Sequence, residues 1–132
     1  EAYSGGNSLV QVAHERFPAR TDFTDARAID LAAGAGDADA QAILDTAALY
    51  NAAGIASMIQ LYVPDAIIFG GGQCREDGYL YRRTLEEIRN ILPRERLENI
   101  KVSITTLGKY QSALGAARLA YEKFFGETKK DK

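Results

Sequence analysis

The stretch P-D-A-I-I-F-G-G-G, from Pro64 to Gly72, decides the fold of this chain. Its apolar run, Ala66–Phe69, is bounded by proline and glycine, which is typical of a strand buried on both faces. Ligands of open α/β sheets bind beyond the carboxyl ends of the strands, where glycine lets the backbone approach closely because it has no Cβ. The candidate ligand-binding residues are therefore Gly70, Gly71 and Gly72. The alternative is a tight turn between strand and helix with nothing bound.

Three helices are predicted before this strand, from apolar residues that recur at spacings of three and four. The first covers Asn7–Phe17, and the second covers Asp25–Ala33 with Thr24 as its N-cap. Asp37 caps the third, which runs to about Tyr62 and would be about 39 Å long. Its middle is rich in alanine, so other elements can approach closely, and we expect a central, well-buried helix.

Two more helices and a second strand are predicted after the glycines. They are a helix over Tyr79–Ile91, a charged surface connection over Arg94–Asn99, a strand over Lys101–Thr105 and a helix over Tyr110–Phe125. The order ααα-β-α-β-α predicts an α/β fold with two parallel strands and a long central helix. Two strands are too few for a stable sheet. We expect the others from residues before Glu1, from a partner chain or from strands that this pattern does not reveal. A first residue other than methionine also suggests a fragment or a processed chain.

Composition is typical of a soluble single-domain protein. The chain has 132 residues, a net charge of −2 and a pI near 5.4, so nucleic-acid binding is not expected. No signal peptide is apparent, and the apolar helix around Ala47–Val63 carries three polar residues that disfavour a membrane span: Asn51, Ser57 and Gln60. The single cysteine, Cys74, excludes an internal disulfide and a thiolate cage within the chain, and it favours a cytoplasmic location.

Two lone residues carry reactive side chains. His14 is more simply a solvated helix position, because one histidine cannot build a zinc site or a triad. Cys74 follows the glycines and either lines a ligand cleft or is a small loop residue without function.

Two further patterns resemble binding motifs. Gly108-Lys109 looks like the end of a P-loop, but Tyr110 replaces the required Ser or Thr, so a triphosphate site is rejected. A phosphate or ribose contact by Lys109 stays open. Tyr79 and Tyr81 stand beside two arginines, as in a nucleic-acid stacking platform, but in an acidic chain a solvated helix face is favoured.

Four segments occur in an order and spacing that match a known family. They are E-A-Y-S-G-G from Glu1 to Gly6, A-G-D-A-D-A from Ala35 to Ala40, V-P-D-A-I-I-F-G-G-G from Val63 to Gly72, and T-L-G…L-G-A-A-R-L-A from Thr106 to Ala120. Together they resemble the C-terminal part of the ROK family of bacterial sugar kinases and sugar-responsive repressors. The first looks like the end of the family's G-C-L-E-x-Y segment.

The resemblance implies an actin-like ATPase fold, in which two ribonuclease H-like domains enclose a cleft for ATP and a hexose. Residues 1–126 would be part of one such domain, and residues 127–132 would be a disordered basic tail. The resemblance also implies that Gly70, Gly71 and Gly72 lie against the nucleotide, and that Glu1 hydrogen-bonds sugar hydroxyls. ATP with Mg²⁺ would serve the complete protein, which we expect to form homo-oligomers.

Several family motifs are absent from these 132 residues: the D-x-G-x-T/N phosphate loop, the Asn-Asp catalytic pair, the E-x-G-H histidine and the C-x-C-G-x-x-x-C zinc cysteines. All would precede Glu1, so zinc is expected only in the complete protein. Phosphoryl transfer needs a positioned γ-phosphate, a metal ion and an oriented acceptor, so the chain alone should be inactive.

The hypothesis from the sequence is the C-terminal part of an ATP-dependent hexose kinase of the glucokinase type. Two alternatives stay open. One is a transcriptional repressor of the same family, in which this segment serves sugar binding and oligomerisation. The other is a non-catalytic packing or dimerisation module.

Overall fold

The computed structural model describes residues 4–126, apart from the side chain of Lys109. Predictions for Glu1, for the Lys109 side chain and for the tail at residues 127–132 therefore lie outside the described residues. The elements are α1 (Gly6–Arg16), α2 (Ala26–Gly34), α3 (Ala38–Tyr62), β1 (Ala66–Phe69), α4 (Tyr79–Ile91), α5 (Arg94–Leu97), β2 (Lys101–Ile104), a 3₁₀ turn (Gly108–Tyr110) and α6 (Gln111–Phe125).

Helices α2 and α3 each begin at a capping aspartate. The Asp37 carboxylate accepts a hydrogen bond from the Ala40 N–H at 2.9 Å, as predicted for the N-cap of α3. The N-cap of α2 is Asp25, which accepts from the Ala28 N–H at 2.8 Å, so the prediction of Thr24 was wrong. Both residue types suit the position, but Asp25 has the extended backbone from which the chain enters the helix.

The long helix α3 is central, as predicted. Its N-terminal half packs against α1 and α2, and its C-terminal half packs against α4 and the inner face of the sheet. Met58 and Tyr62 of this helix lie outside the core and are exposed. By length and composition alone α3 is the one described helix that meets the requirements for crossing a membrane, but one face of it forms the core. Its buried residues are Ala40, Ile43, Leu44, Ala47, Ala48, Ala52, Ala56 and Ile59.

The two strands pair in parallel, as predicted, with Ala66 opposite Lys101 and Phe69 opposite Ile104. Ile67 and Phe69 pack toward α3 and α4. Ile68 points to the other face because side chains alternate along a strand, and it is 68% exposed. The prediction of a strand buried on both faces is therefore wrong for the described part of the chain, where the outer face stays open.

The C-terminal region differs from the prediction at two places. Arg94–Leu97 forms one helical turn, α5, inside the predicted surface connection, and an ion pair from Arg94 to Glu98 at 3.0 Å supports it. The last helix begins one residue later than predicted, after the 3₁₀ turn. Its apolar stripe, which includes Leu114 and Phe124, is exposed because the described elements offer no surface to bury it.

Candidate functional site

The three glycines lie at the carboxyl end of β1, where the sequence predicts a ligand-binding turn. Gly71 has φ of +111°, a conformation that residues with a side chain rarely adopt. At Gly70 the Gln111 side chain occupies the space where a Cβ would stand, whereas Gly72 has open space there. We call residues 70–78, which run from this turn to the start of α4, the glycine loop.

The glycine loop borders a cleft of about 930 Å³, which we call the α1–α2 cleft. Helix α1 and the start of α2 form one side, and Gly72, Gln73 and Leu80 contribute to the other. The lining combines apolar side chains with charged ones, which include Asp25, Arg27, Asp30 and Arg75. Both the volume and this mixture are typical of sites for small organic ligands.

A smaller pocket of about 220 Å³ lies on the other side of the glycine loop and reaches Asn51, Tyr81 and Thr84. Cys74 lines it, and its thiol donates a hydrogen bond to the Gly70 carbonyl at 3.3 Å. Burial raises the pKa of this thiol, so it stays protonated at neutral pH. Such a group packs the loop rather than acting as a nucleophile.

Two side chains that the sequence analysis did not single out anchor the glycine loop. With its amide oxygen facing the Gly6 N–H at 2.7 Å, Gln73 also donates to the Ser4 carbonyl at 3.2 Å, which joins the loop to α1. Asp30 on α2 accepts a hydrogen bond from the Leu80 N–H of α4 at 2.8 Å. The position of Gln73 directly after the glycines is a sequence signal from which its role in the loop could have been predicted. Asp30 gave none, because its partner lies 50 residues away.

Arg75 is the third group that sequence reasoning missed. Its guanidinium pairs with Asp77 at 2.6 Å, and this hydrogen-bonded carboxylate raises the Arg75 pKa. The remaining nitrogen, Nη1, is buried and has no hydrogen-bond partner within residues 4–126. A buried donor without an acceptor costs free energy, so Nη1 is suited to donate a hydrogen bond to a ligand oxygen.

The other predicted candidates have different surroundings. His14 is exposed and lines the α1–α2 cleft. The Tyr79 hydroxyl donates to Asp45 at 3.0 Å, and the Tyr81 ring packs edge-on against Phe69 with centroids 5.2 Å apart. Both tyrosines are thus engaged in packing α4, which is not the arrangement of a stacking platform.

The arrangement can bind a ligand with a ring, hydroxyls and negative charge. Apolar side chains can contact the ring, carboxylates can accept hydrogen bonds from hydroxyls, and backbone N–H groups and Arg75 can meet anionic oxygens. Within residues 4–126 no group of three or more His, Cys, Asp and Glu side chains is placed to hold a metal ion.

The family model described as "ROK family" matches residues 1–123. The chain belongs to the ROK family. This confirms the resemblance inferred from the four sequence segments. No curated protein matches the chain.

Solved structures extend the comparison. The ROK hexokinase from Thermus thermophilus is 28% identical with a TM-score of 0.74, and the match covers 93% of this chain and 40% of that chain. The ROK family glucokinase from Streptomyces griseus was solved in complex with glucose and AMPPNP. It is 27% identical with a TM-score of 0.70, and the match covers 90% of this chain and 43% of the glucokinase chain. A structure from Cytophaga hutchinsonii is 22% identical with a TM-score of 0.74, and the match covers 89% of this chain and 42% of that chain. At this identity the match shows a similar fold and no more.

The chain therefore spans less than half the length of these solved relatives. Those relatives include sugar kinases of the actin-like ATPase fold. The mixed helix and strand composition with two parallel strands, predicted from the sequence, is confirmed.

Proposed function

We propose that this chain is the C-terminal part of an ATP-dependent hexose kinase, and that Gly70, Gly71 and Gly72 lie against the nucleotide. The observation that carries the proposal is the loop after β1, where Gly71 has positive φ and Gly72 borders a cleft of about 930 Å³. The relatives named a hexokinase and a glucokinase favour a kinase over a repressor of the same family.

The adenosine would occupy the α1–α2 cleft, with its phosphates toward the glycine loop. Val10 and Ala26, which line this cleft, would supply apolar surface for the purine, and Asp25 would accept hydrogen bonds from ribose hydroxyls. The buried Nη1 of Arg75 would gain the acceptor that it lacks in residues 4–126. Glycine would let the backbone N–H groups come close to phosphate oxygens.

The chain's part in phosphoryl transfer would be to bind and orient. Mg²⁺ would neutralise phosphate charge when bound, but the described residues include no group of three potential ligands, so we assign it no protein ligand here. Glu1 would hydrogen-bond the hexose. The groups that hold the γ-phosphate and deprotonate the sugar would lie outside these 132 residues, as would any zinc site, so the chain alone would be inactive.

The remaining assignments extend the same proposal. Residues 1–126 would form part of one ribonuclease H-like domain of an actin-like ATPase fold, and residues 127–132 would be a basic tail. The complete protein would act in the cytoplasm as a homo-oligomer.

The test is calorimetric titration of AMPPNP with Mg²⁺ into the wild type and two glycine variants. A Cβ at the positive φ of Gly71 costs about 1–2 kcal/mol, so Gly71→Ala should weaken binding about tenfold through displacement of the loop. Gly115→Ala on α6 is the matched control, because a Cβ at this position would meet no other atom within 4 Å. Failure of the wild type to bind, or equal binding by Gly71→Ala, would refute the proposal.

A further inference from the structure

We propose that Asp30 is a positioning residue for the nucleotide, which acts by fixing the C-terminal end of the glycine loop. This inference rests on the proposed function, since it assumes that the α1–α2 cleft holds the nucleotide. Asp30 belongs to α2, it lines that cleft, and it touches the start of α4 rather than a neighbour on its own helix.

The start of α4 lacks a cap of its own. Its N-cap residue, Gly78, has no side chain, so it cannot accept a hydrogen bond from the second helical N–H, that of Leu80. Asp30 supplies the missing acceptor from across the fold, with Oδ1 at 2.8 Å from the Leu80 nitrogen. Its negative charge also lies at the positive end of the α4 dipole, which strengthens the contact.

Gly78 provides the space that this contact needs. A Cβ on residue 78 would come within 3.0 Å of Asp30 Oδ2 and within 3.1 Å of the Arg75 carbonyl oxygen. The φ of Gly78 is −68°, so its backbone conformation does not require glycine. A Cβ at residue 78 would therefore be tight against both oxygens, and Asp30 would have to move by a few tenths of an ångström to accommodate it.

The glycine loop is held by hydrogen bonds at both ends, and Asp30 supplies the one at its C-terminal end. At its start, the Phe69 carbonyl accepts a hydrogen bond from the Thr105 N–H at 2.8 Å, which holds the end of β1. At its end, the Asp30–Leu80 hydrogen bond holds the first turn of α4, and Leu80 itself lines the α1–α2 cleft. Without Asp30, nucleotide binding would have to order this wall of the cleft, and affinity would fall.

The experiment compares Asp30→Ala with Asp30→Asn by AMPPNP titration of the protein and by hydrogen exchange of the Leu80 amide. Asp30→Ala should weaken AMPPNP binding about fivefold and accelerate exchange at Leu80, because the loss of a cap typically has this energetic scale. Asp30→Asn keeps a side-chain oxygen that can accept from the Leu80 N–H, so it should stay within about twofold of the wild type.

Asp37→Ala is the matched control, because it removes the cap of α3, and neither Asp37 nor its hydrogen-bond partner Ala40 lines the cleft. It should lower stability and leave AMPPNP affinity unchanged, which separates positioning from a general loss of stability. Equal AMPPNP affinity of wild type and Asp30→Ala would overturn the inference while the proposed function stands. A wild type that binds no AMPPNP would overturn the proposed function itself, and unchanged Leu80 exchange in Asp30→Ala would overturn the capping role.

Discussion

Replacement of Gly78 by alanine tests the packing between α2 and the glycine loop. A Gly→Ala change at a compatible φ normally stabilises a protein by about 0.4–1 kcal/mol through the unfolded state. Here the new Cβ would lie 3.0 Å from Asp30 Oδ2 and 3.1 Å from the Arg75 carbonyl oxygen, and only the Asp30 side chain can rotate away. That movement weakens the hydrogen bond from the Leu80 N–H to Asp30 Oδ1, whose charged acceptor makes it worth about 1.5–3 kcal/mol when intact.

For Gly78→Ala we therefore expect the free energy of unfolding to fall by about 1 kcal/mol. This figure uses the lower end of the hydrogen-bond range because Asp30 is partly exposed. For a chain of this size that corresponds to a fall in Tm of about 3–5 °C. Urea denaturation should show a lower midpoint with an unchanged slope, and Gly115→Ala should instead be neutral or stabilising. The double variant Gly78→Ala with Asp30→Ala should lose less stability than the sum of the two single variants, because both act on the same hydrogen bond. Stabilisation by Gly78→Ala would refute the reasoning.

Two further predictions concern the ends of α3. Val63, which ends this helix, is an exposed residue with φ of +46°, a strained conformation for a β-branched side chain. Val63→Gly should therefore raise the free energy of unfolding by about 0.5–1 kcal/mol, measured by urea denaturation. A lower free energy of unfolding would contradict the inference that Val63 is strained. Arg20 hydrogen-bonds to Asp22 and Asp37 and lowers the pKa of both carboxyls from the ordinary 3.8, so their contribution to stability is fully present above that pH and is lost as the pH falls through the lower folded-state values. Arg20→Met should therefore reduce Tm at pH 7 and differ little from the wild type near pH 2, with an equal deficit at both pH values counting against the ion-pair account.

Local signals predict the elements next to the glycines well. The strand Ala66–Phe69 and the helix Tyr79–Ile91 have the predicted bounds, because proline and glycine stand beside both and interrupt regular structure. At α2, Thr24 and Asp25 are adjacent residues of equal capping chemistry, so composition cannot choose between them. The extended backbone conformation at Asp25 makes this residue, and not Thr24, the N-cap.

Burial and long-range contacts are less accessible from the sequence. The apolar run at β1 reports what the strand is suited to bury, but Ile68 is exposed because the described elements do not cover the outer face. The contact between Asp30 and Leu80 joins residues 50 positions apart, and no local periodicity encodes it. Arg75 could be predicted as a loop residue, but its buried, unpartnered Nη1 follows only from the surrounding packing.

The most direct test of the nucleotide assignment is a hydrogen-exchange footprint of the protein with and without AMPPNP and Mg²⁺. We expect slower exchange at residues 70–73, of which Gly72 and Gln73 line the α1–α2 cleft, and at the starts of α1 and α2, which also line it. Exchange elsewhere, for example along α6, should not change. Saturating AMPPNP that leaves exchange at residues 70–73 unchanged would contradict the assignment of Gly70, Gly71 and Gly72 to the nucleotide.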